Sequence, residues 1–365
     1  MHVAQVIPSL IKGGAERVVI ELSNSLISDG HEVTLILAEE VNASLNLNKV
    51  HPEVKVSYIA RSRGWKLSKY IKMPLWIWRN RRTIKDFDVV HVHLTFGLVF
   101  GYLLGVLKRG SLLRGPSLVA TCHVVGMGIS SFTKRLNERL STNFDAFILM
   151  ALDSTWRNLI ENKGQRNISV IRNGISISPV TSYKSQKNFT IGTISRLHKA
   201  RQPELFLELF SEIDKISSSR VNFVLAGAGP ELSSLLDLAN SLGVANRLSL
   251  PGLVLDAGEV FSNLDVYISL NVEENTGIAA LEAIAFGLPV MSIQLVNGYK
   301  ASEKDWIYSS QDLVDLSGKI WFLLNNQQLL TPLKQEQHRV LEEQYSSTKM
   351  YSSYMEIYLN HTGKR

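Results

Sequence analysis

The 365-residue chain contains one cysteine, Cys122, so no disulfide can close within it. A disulfide-stapled secreted domain is excluded, and a reducing compartment is expected. The N-terminus lacks a charged leader, a long apolar core and a small-residue cleavage site. Met1 runs almost at once into the apolar stretch Val3–Pro8, which reads as a first strand, so no signal peptide is expected. The longest apolar run, Leu94–Leu107, has 14 residues, short of the roughly 20 that span a bilayer. His93 precedes it and Lys108-Arg109 follow it, and it reads as a buried helix.

What is present is ordinary globular material, 45% hydrophobic and 20% charged. The length exceeds what one hydrophobic core usually organises, so two domains are expected. The net charge of +6 is uneven: residues 1–180 carry +10 and residues 181–365 carry −4. A basic half suggests that one domain faces an anionic partner.

Strand and helix signals alternate. In the first half, strands are expected at Val3–Ile7, Val33–Leu37, Val54–Ile59, Val89–Val92, Ser117–Thr121, Ala146–Met150 and Ser169–Ile171. Several are continuous apolar runs, as in strands covered on both faces. The pattern lapses around Ile175–Asn188 and restarts with Phe189–Ile194, Val221–Ala226, Leu248–Leu250, Val266–Leu270 and Pro289–Ile293. The reading is an α/β protein of two Rossmann-like, doubly wound parallel-sheet domains. The expected boundaries are an N-terminal domain at 1–176, a linker at 177–188, a second domain at 189–344 and a C-terminal segment at 345–365. Two such sheets facing each other would form a deep cleft, because ligands of open parallel sheets bind beyond the strands' carboxyl ends.

Five constellations stand at such positions. Gly13-Gly14-Ala15-Glu16-Arg17 opens a helix after the first strand, where backbone amides attract anions. It is not GxGxxG, which argues against a dinucleotide oxidoreductase. Thr121-Cys122-His123 ends a strand and places a histidine at its edge. His91 and His93 share one face of a strand, but no third ligand stands at a metal-site spacing, and no metal is expected. Asp86-Phe87-Asp88 precedes a strand rather than following one, and reads as its lead-in rather than as a metal-binding DxD. Ser195-Arg196-Leu197-His198-Lys199-Ala200-Arg201 clusters three cations after Phe189–Ile194, where arginine's planar fork suits phosphate oxygens. The most specific constellation is Glu273-Glu274-Asn275-Thr276-Gly277-Ile278 through Glu282-Ala283, set between a strand and a helix. A helix starting near Gly277 would offer free amides to a phosphate, with Glu282 placed for sugar hydroxyls.

On these residues the sequence resembles glycosyltransferase family 4, the retaining GT-B glycosyltransferases of bacterial polysaccharide and lipopolysaccharide type. The resemblance extends over nearly the whole chain. It includes Asp88-Val89-Val90-His91-Val92-His93, Asn173-Gly174-Ile175, Ala226-Gly227-Ala228-Gly229-Pro230-Glu231 and Pro251-Gly252-Leu253. The tail from Tyr345 to Tyr358 looks like the family's last helix, which usually crosses back onto the first domain.

The resemblance implies roles by position. Gly13 and Gly14 would lie against the donor diphosphate. His123 would contact the donor sugar near the reacting centre. Arg196 and a second cation would bind the diphosphate. Glu274 would hold hydroxyls of the transferred sugar, the backbone around Thr276-Gly277-Ile278 the distal phosphate, and Glu282 the ribose. Glu274, His123 and Arg196 are the expected catalytic residues, with Lys199, His93 and Glu16 as further candidates. The family's second cation is usually a lysine five residues after the arginine. Arg201 stands there and is the expected second cation, with Lys199 the alternative. The usual Glu-Gly-Phe-Gly is here Glu274-Asn275-Thr276-Gly277, which loses an aromatic. After Val290 the common glycine-rich stretch is reduced to Gly298.

The resemblance implies retaining transfer from a nucleotide-diphosphate sugar to a glycan or lipid-linked glycan, with no cofactor and no metal. Arg61, Arg63, Lys66, Lys69, Lys72, Arg79, Arg81 and Arg82 occupy 22 residues without an acid. Trp65, Tyr70, Trp76 and Trp78 are interleaved. This pattern suits an anionic membrane surface on the cytoplasmic side, and no nucleic-acid motif accompanies it. Two other readings are a GT-B-fold nucleotide-sugar isomerase or epimerase and a non-catalytic nucleotide-sugar-binding subunit.

Overall fold

The computed structural model describes residues 1–10, 13–40, 47–60, 68–109, 115–123, 131–150, 158, 160–162, 164–177, 189–217, 220–254, 256–271, 277–294, 307–310 and 312–363. The chain divides into two compact units, Met1–Ser176 with Ser346–Arg365, and Ile177–Tyr345. Of the expected linker, residues 178–188 lie outside the described residues.

Among the described residues the first unit has seven strands: β1 (His2–Ile7), β2 (Glu32–Glu39), β3 (Lys55–Ala60), β4 (Val89–His93), β5 (Ser117–Cys122), β6 (Ala146–Leu149) and β7 (Ile168–Val170). They form one parallel sheet in the order β3-β2-β1-β4-β5-β6-β7. The central strands are buried along nearly their whole length, which their apolar runs require. The apolar run after His93 is the helix Leu94–Arg109. Leu94 itself has φ 62°, a left-handed conformation that turns the chain from β4 into the helix within one residue. Close docking of this helix needs small residues: a Cβ on Gly101 would run into the Phe144 ring.

The helix Ser347–Thr362 belongs to this first unit. The Ser346 hydroxyl caps it by accepting from the Lys349 amide, and Gly363 ends it in the left-handed region. Asn173-Gly174-Ile175 is its dock. Ile175 bridges to Ser346 and accepts from the Ser347 amide at 2.8 Å. A side chain on Gly174 would collide with Met350 and the Ser346 carbonyl.

Among the described residues the second unit has six strands: β8 (Phe189–Ile194), β9 (Val221–Ala226), β10 (Leu248–Ser249), β11 (Val266–Asn271), β12 (Val290–Gln294) and β13 (Tyr308–Ser310). Their order is β10-β9-β8-β11-β12-β13, again all parallel. The helix Glu204–Ser217 buries Phe206, Leu207, Phe210 and Ile213 against it, and Phe210 stacks on Phe223 at 4.7 Å between centroids.

Each sheet reverses its winding once. In the first unit the reversal lies between β1 and β4, and in the second between β8 and β11. Loops leaving adjacent strands diverge there, which opens a crevice at the strands' carboxyl ends. The chain toward Gly13 leaves β1, the Arg196 loop leaves β8, and the chain toward Gly277 leaves β11. His123 follows β5, next to β4.

Candidate functional site

In the second unit, β8 ends at Ile194 and the chain turns through Arg196, Leu197 and the short 3-10 segment Lys199–Arg201. Leu197 is buried, while Arg196, Lys199 and Arg201 are exposed. Backbone bonds hold this turn: the Leu197 amide donates to the Ala228 carbonyl at 3.1 Å, and the Glu231 amide to the Leu197 carbonyl at 3.1 Å. The Ser195 amide donates to Ala226, and the Gly227 amide to Gly252. These contacts give the Ala226–Glu231 and Pro251-Gly252 motifs a purpose the sequence did not reveal. A Cβ on Gly227 or Gly229 would coincide with the carbonyl oxygens of Ser195 or Leu197, so both glycines let one loop lie directly on the other.

Tyr267 braces the same corner. Its buried hydroxyl donates to the Ile194 carbonyl at 3.3 Å and accepts from the Ile194 amide at 3.4 Å. Burial pushes its phenol up to about 12, with Glu282 adding to the shift. Glu282 is half-buried in the helix Ile278–Ala285, one turn from the helix start. Gly277 is the extended residue before that helix. It is exposed, and among the described residues no side chain caps it and none comes within 4 Å of where a Cβ would stand. The first amides of the helix therefore stand at the β8/β11 crevice with their partial positive charge available. Glu274 and Thr276, expected beside them, lie outside the described residues, as does Gly298.

In the first unit, Gly13 is the extended residue before the helix Gly14–Ser28, and both glycines are exposed. Glu16, third in the helix, folds its carboxylate back to where a Gly13 side chain would stand. This is the position of a capping-box carboxylate, so Glu16 takes the anion-attracting place at this helix end. Arg17 pairs with Glu21 at 3.2 Å, and Glu21 accepts from the Ser176 hydroxyl at 2.5 Å.

His123 is half-buried just beyond β5, and burial pushes its imidazole down to about 3. Its Nε2 lies 2.8 Å from Nδ1 of His93, whose Nε2 lies 2.7 Å from Gln5 Oε1. Both nitrogens of His91 are also engaged, by the Tyr358 hydroxyl and the Thr121 hydroxyl, each at 2.7 Å. His91 and His93 are fully buried and held well below the usual histidine range, chiefly by desolvation. All four ring nitrogens of the strand's histidine pair thus lie within hydrogen-bonding distance of a neighbouring side chain. Thr121 belongs to the strand-end constellation with His123; Gln5, Tyr354 and Tyr358 carry no local signal that marks them as site residues.

The basic stretch is described from Ser68 onward. The helix Ser68–Arg79 buries Met73 and Ile77 and exposes Ile71, Leu75 and Trp78, which recur at i, i+4 and i+7. The interleaved aromatics divide. Trp76 turns inward, donating to the Tyr58 carbonyl at 3.0 Å, and Tyr70 packs near Phe96. Trp78 stays 61% exposed, with the Arg81 guanidinium over its ring at 4.9 Å. Among the described residues, no helix is long and apolar enough to cross a membrane.

Residues 12–178 match the family described as Glycosyltransferase Family 4, and residues 179–340 match Glycosyl transferases group 1. The chain is 21% identical to a Bacillus anthracis N-acetyl-alpha-D-glucosaminyl L-malate synthase, over 95% of this chain and 93% of that protein. It is 25% identical to a Campylobacter jejuni alpha-1,4-N-acetyl-D-galactosaminyltransferase, named for a diNAcBac-PP-undecaprenol-linked substrate, over 90% of each chain. Anabaena HepE in complex with UDP-glucose shares the fold with a TM-score of 0.76 at 17% identity, covering 98% of this chain and 99% of its own. TarM does so with a TM-score of 0.78 at 11% identity, covering 98% of each. Two parallel sheets, each with its loops gathered at a winding reversal, together with matches that span both halves, lead to one conclusion: the chain belongs to glycosyltransferase family 4, a glycosyltransferase of the GT-B fold.

Proposed function

We propose that the protein transfers a hexose or N-acetylhexosamine from a nucleotide-diphosphate sugar to a glycan or lipid-linked glycan, with retention and without a metal ion. One observation carries this reading: the β8/β11 reversal brings the cationic turn of Arg196 and the helix start at Gly277 to the same end of one sheet. In the reaction the bond from the anomeric carbon to the diphosphate oxygen breaks. Negative charge gathers on the leaving diphosphate while the sugar becomes oxocarbenium-like. Fixed cations and amide dipoles aimed at that charge stabilise it without reorganising. Arg196, Arg201 and the amides of Gly277 and Ile278 supply them, with Thr276, the preceding residue in the sequence, as a further candidate. Glu282 takes the ribose and Glu274 the transferred sugar. Gly13 and Gly14 lie on the diphosphate side of the first unit, and the Glu16 carboxylate now folded over Gly13 gives way to the phosphate. His123 meets the sugar.

The acceptor lies at an anionic membrane surface on the cytoplasmic face. The outward Ile71, Leu75 and Trp78, flanked by Lys69, Lys72, Arg79, Arg81 and Arg82, match the apolar and cationic halves of an interfacial helix. The Campylobacter relative is itself named for an undecaprenol-linked substrate.

A thermal-shift screen against UDP, GDP, ADP, CMP and dTDP, run with a chelator present, tests the donor class. One nucleoside diphosphate should raise the melting temperature clearly above the others, and CMP, a monophosphate, should raise it least. No response to any of them, or product formed from the sugar nucleotide without an acceptor as in an isomerase, would contradict the reading. Proton NMR of the transferred sugar then reads the anomeric configuration, which should match that of the donor.

A further inference from the structure

Seven side chains run in single file beneath the sheet of the first unit. From His123 the contacts pass to His93 at 2.8 Å, to Gln5 at 2.7 Å, to Tyr358 at 3.3 Å and to His91 at 2.7 Å. They continue to Thr121 at 2.7 Å and Tyr354 at 3.2 Å, whose hydroxyl donates to the Met150 sulfur at 3.7 Å. All but His123 are fully buried, so each donor and acceptor must be satisfied within the file.

The chemistry of each group sets the direction of the protons. The Met150 sulfur only accepts, so the Tyr354 proton points to it and the Thr121 proton points to Tyr354. The Thr121 oxygen then accepts from His91 Nε2–H. His91 Nδ1 is bare and accepts the Tyr358 proton. Tyr358 in turn accepts from the Gln5 amide nitrogen. Gln5 Oε1 can only accept, which places a proton on His93 Nε2. His93 is neutral, because its burial excludes the charged ring, so its Nδ1 is bare. The contact with His123 therefore needs a proton on His123 Nε2, and His123 Nδ1 is left as an acceptor.

We propose that Gln5, His93, His91 and Tyr358 are positioning residues: the one-way file holds His123 as the Nε2–H tautomer and presents its bare Nδ1 to a hydroxyl of the donor sugar. The functional half of this inference rests on the reading that His123 meets that sugar; the tautomer does not. A neutral ring beside the reacting carbon adds no positive charge to oppose the oxocarbenium, and its lone pair orients a hydroxyl that must donate. Because Tyr354 and Tyr358 lie on the last helix of the chain, that helix sets the protonation pattern at the strand ends.

The test uses the full chain labelled with ¹⁵N-histidine, with the His123→Gln variant to assign the His123 ring. Long-range proton–nitrogen correlations at neutral pH should show His123 Nε2 protonated and Nδ1 bare. His93→Leu removes the acceptor and should give a mixed or reversed tautomer. His93→Asn, whose Oδ1 replaces the lost Nδ1, should restore it. Tyr358→Phe, the smaller deletion, should loosen the tautomer if His93→Leu does not fold. With UDP-glucose and UDP-N-acetylglucosamine as probes, turnover in His93→Leu should fall about ten- to a hundred-fold, the scale for losing a partner that orients a functional histidine. KM should stay near wild type, and His93→Asn should recover most of the rate. An Nδ1–H or charged His123 in the wild-type protein, or a tautomer indifferent to both His93→Leu and Tyr358→Phe, would overturn the proposal. Wild-type turnover in His123→Gln would instead refute the sugar contact and leave the tautomer result standing.

Discussion

The hydroxyl of Tyr358 lies 2.7 Å from Nδ1 of His91, a residue 267 positions earlier in the chain. The contact is fully buried and joins the last helix to the centre of the first sheet. Tyr358→Phe keeps the ring but leaves the His91 lone pair and a Gln5 N–H without their partner. An unsatisfied buried group of this kind costs about 1–3 kcal/mol. Denaturant unfolding of the first unit's transition should show a loss of that size, and an unchanged midpoint would show that the hydroxyl is dispensable.

The buried histidines give stability a pH dependence of defined sign. In the folded chain, His91, His93 and His123 titrate below the ordinary histidine value of 6.5, His123 near 3. In the unfolded chain they take up protons near 6.5, so the unfolded state binds more protons as the pH falls below that value. Stability from these groups is therefore complete above about pH 6.5 and is lost progressively toward pH 3. The melting temperature should drop between pH 7 and pH 5, and His123→Gln should lessen the drop. A flat profile would contradict the burial of neutral rings.

Three cations follow β8, and their roles should separate. Arg196→Ala should lower transfer by about two orders of magnitude or more, the scale for one preorganised electrostatic group. Arg201→Ala should approach it, and Lys199→Ala should change the rate little. Glu274→Ala should match Arg196→Ala through loss of the sugar's hydroxyl contacts. Steady-state rates with the identified donor decide this, and a larger loss in Lys199→Ala than in Arg201→Ala would exchange their roles.

Gly227 has φ of +143°, and a side chain there would overlap the Ser195 carbonyl oxygen. Gly227→Ala should destabilise the second unit by about 1–3 kcal/mol from backbone strain alone, and should displace the loop that carries Arg196. Nucleoside diphosphate affinity should fall even where the protein remains folded. Wild-type affinity would show that the Ala226–Glu231 turn does not support the phosphate site.

The outward face of the helix Ser68–Arg79 should bind anionic vesicles. Flotation with phosphatidylglycerol liposomes should capture the protein, and Trp78→Ala together with Ile71→Ser should weaken capture. Equal binding to neutral vesicles would remove the electrostatic half of the argument.

Much of this was legible in the sequence, for physical reasons. Strands buried on both faces are continuous apolar runs, so β1, β4, β5 and β8 could be found without tertiary information. The Arg196 turn and the helix at Gly277 each come within a few residues of a strand's end in the sequence, and a strand's carboxyl end is where ligands of such sheets gather. What stayed hidden depends on contacts between distant segments. Nothing local marks Tyr358 as the partner of Gln5, or Gly227 as a neighbour of Ser195. The short β13, with Tyr308-Ser309-Ser310, has no apolar run and pairs only at the sheet's edge. Trp76 and Trp78 look alike in sequence, and only helical phase sends one inward and the other out.

A crystal soaked with the preferred nucleoside diphosphate tests the central claim most directly. The two phosphates should lie at the β8/β11 reversal, within hydrogen-bonding distance of Arg196 and the Gly277–Ile278 amides, with no ion bridging them to the protein. Phosphates bound elsewhere, or held there through a metal ion, would contradict the account.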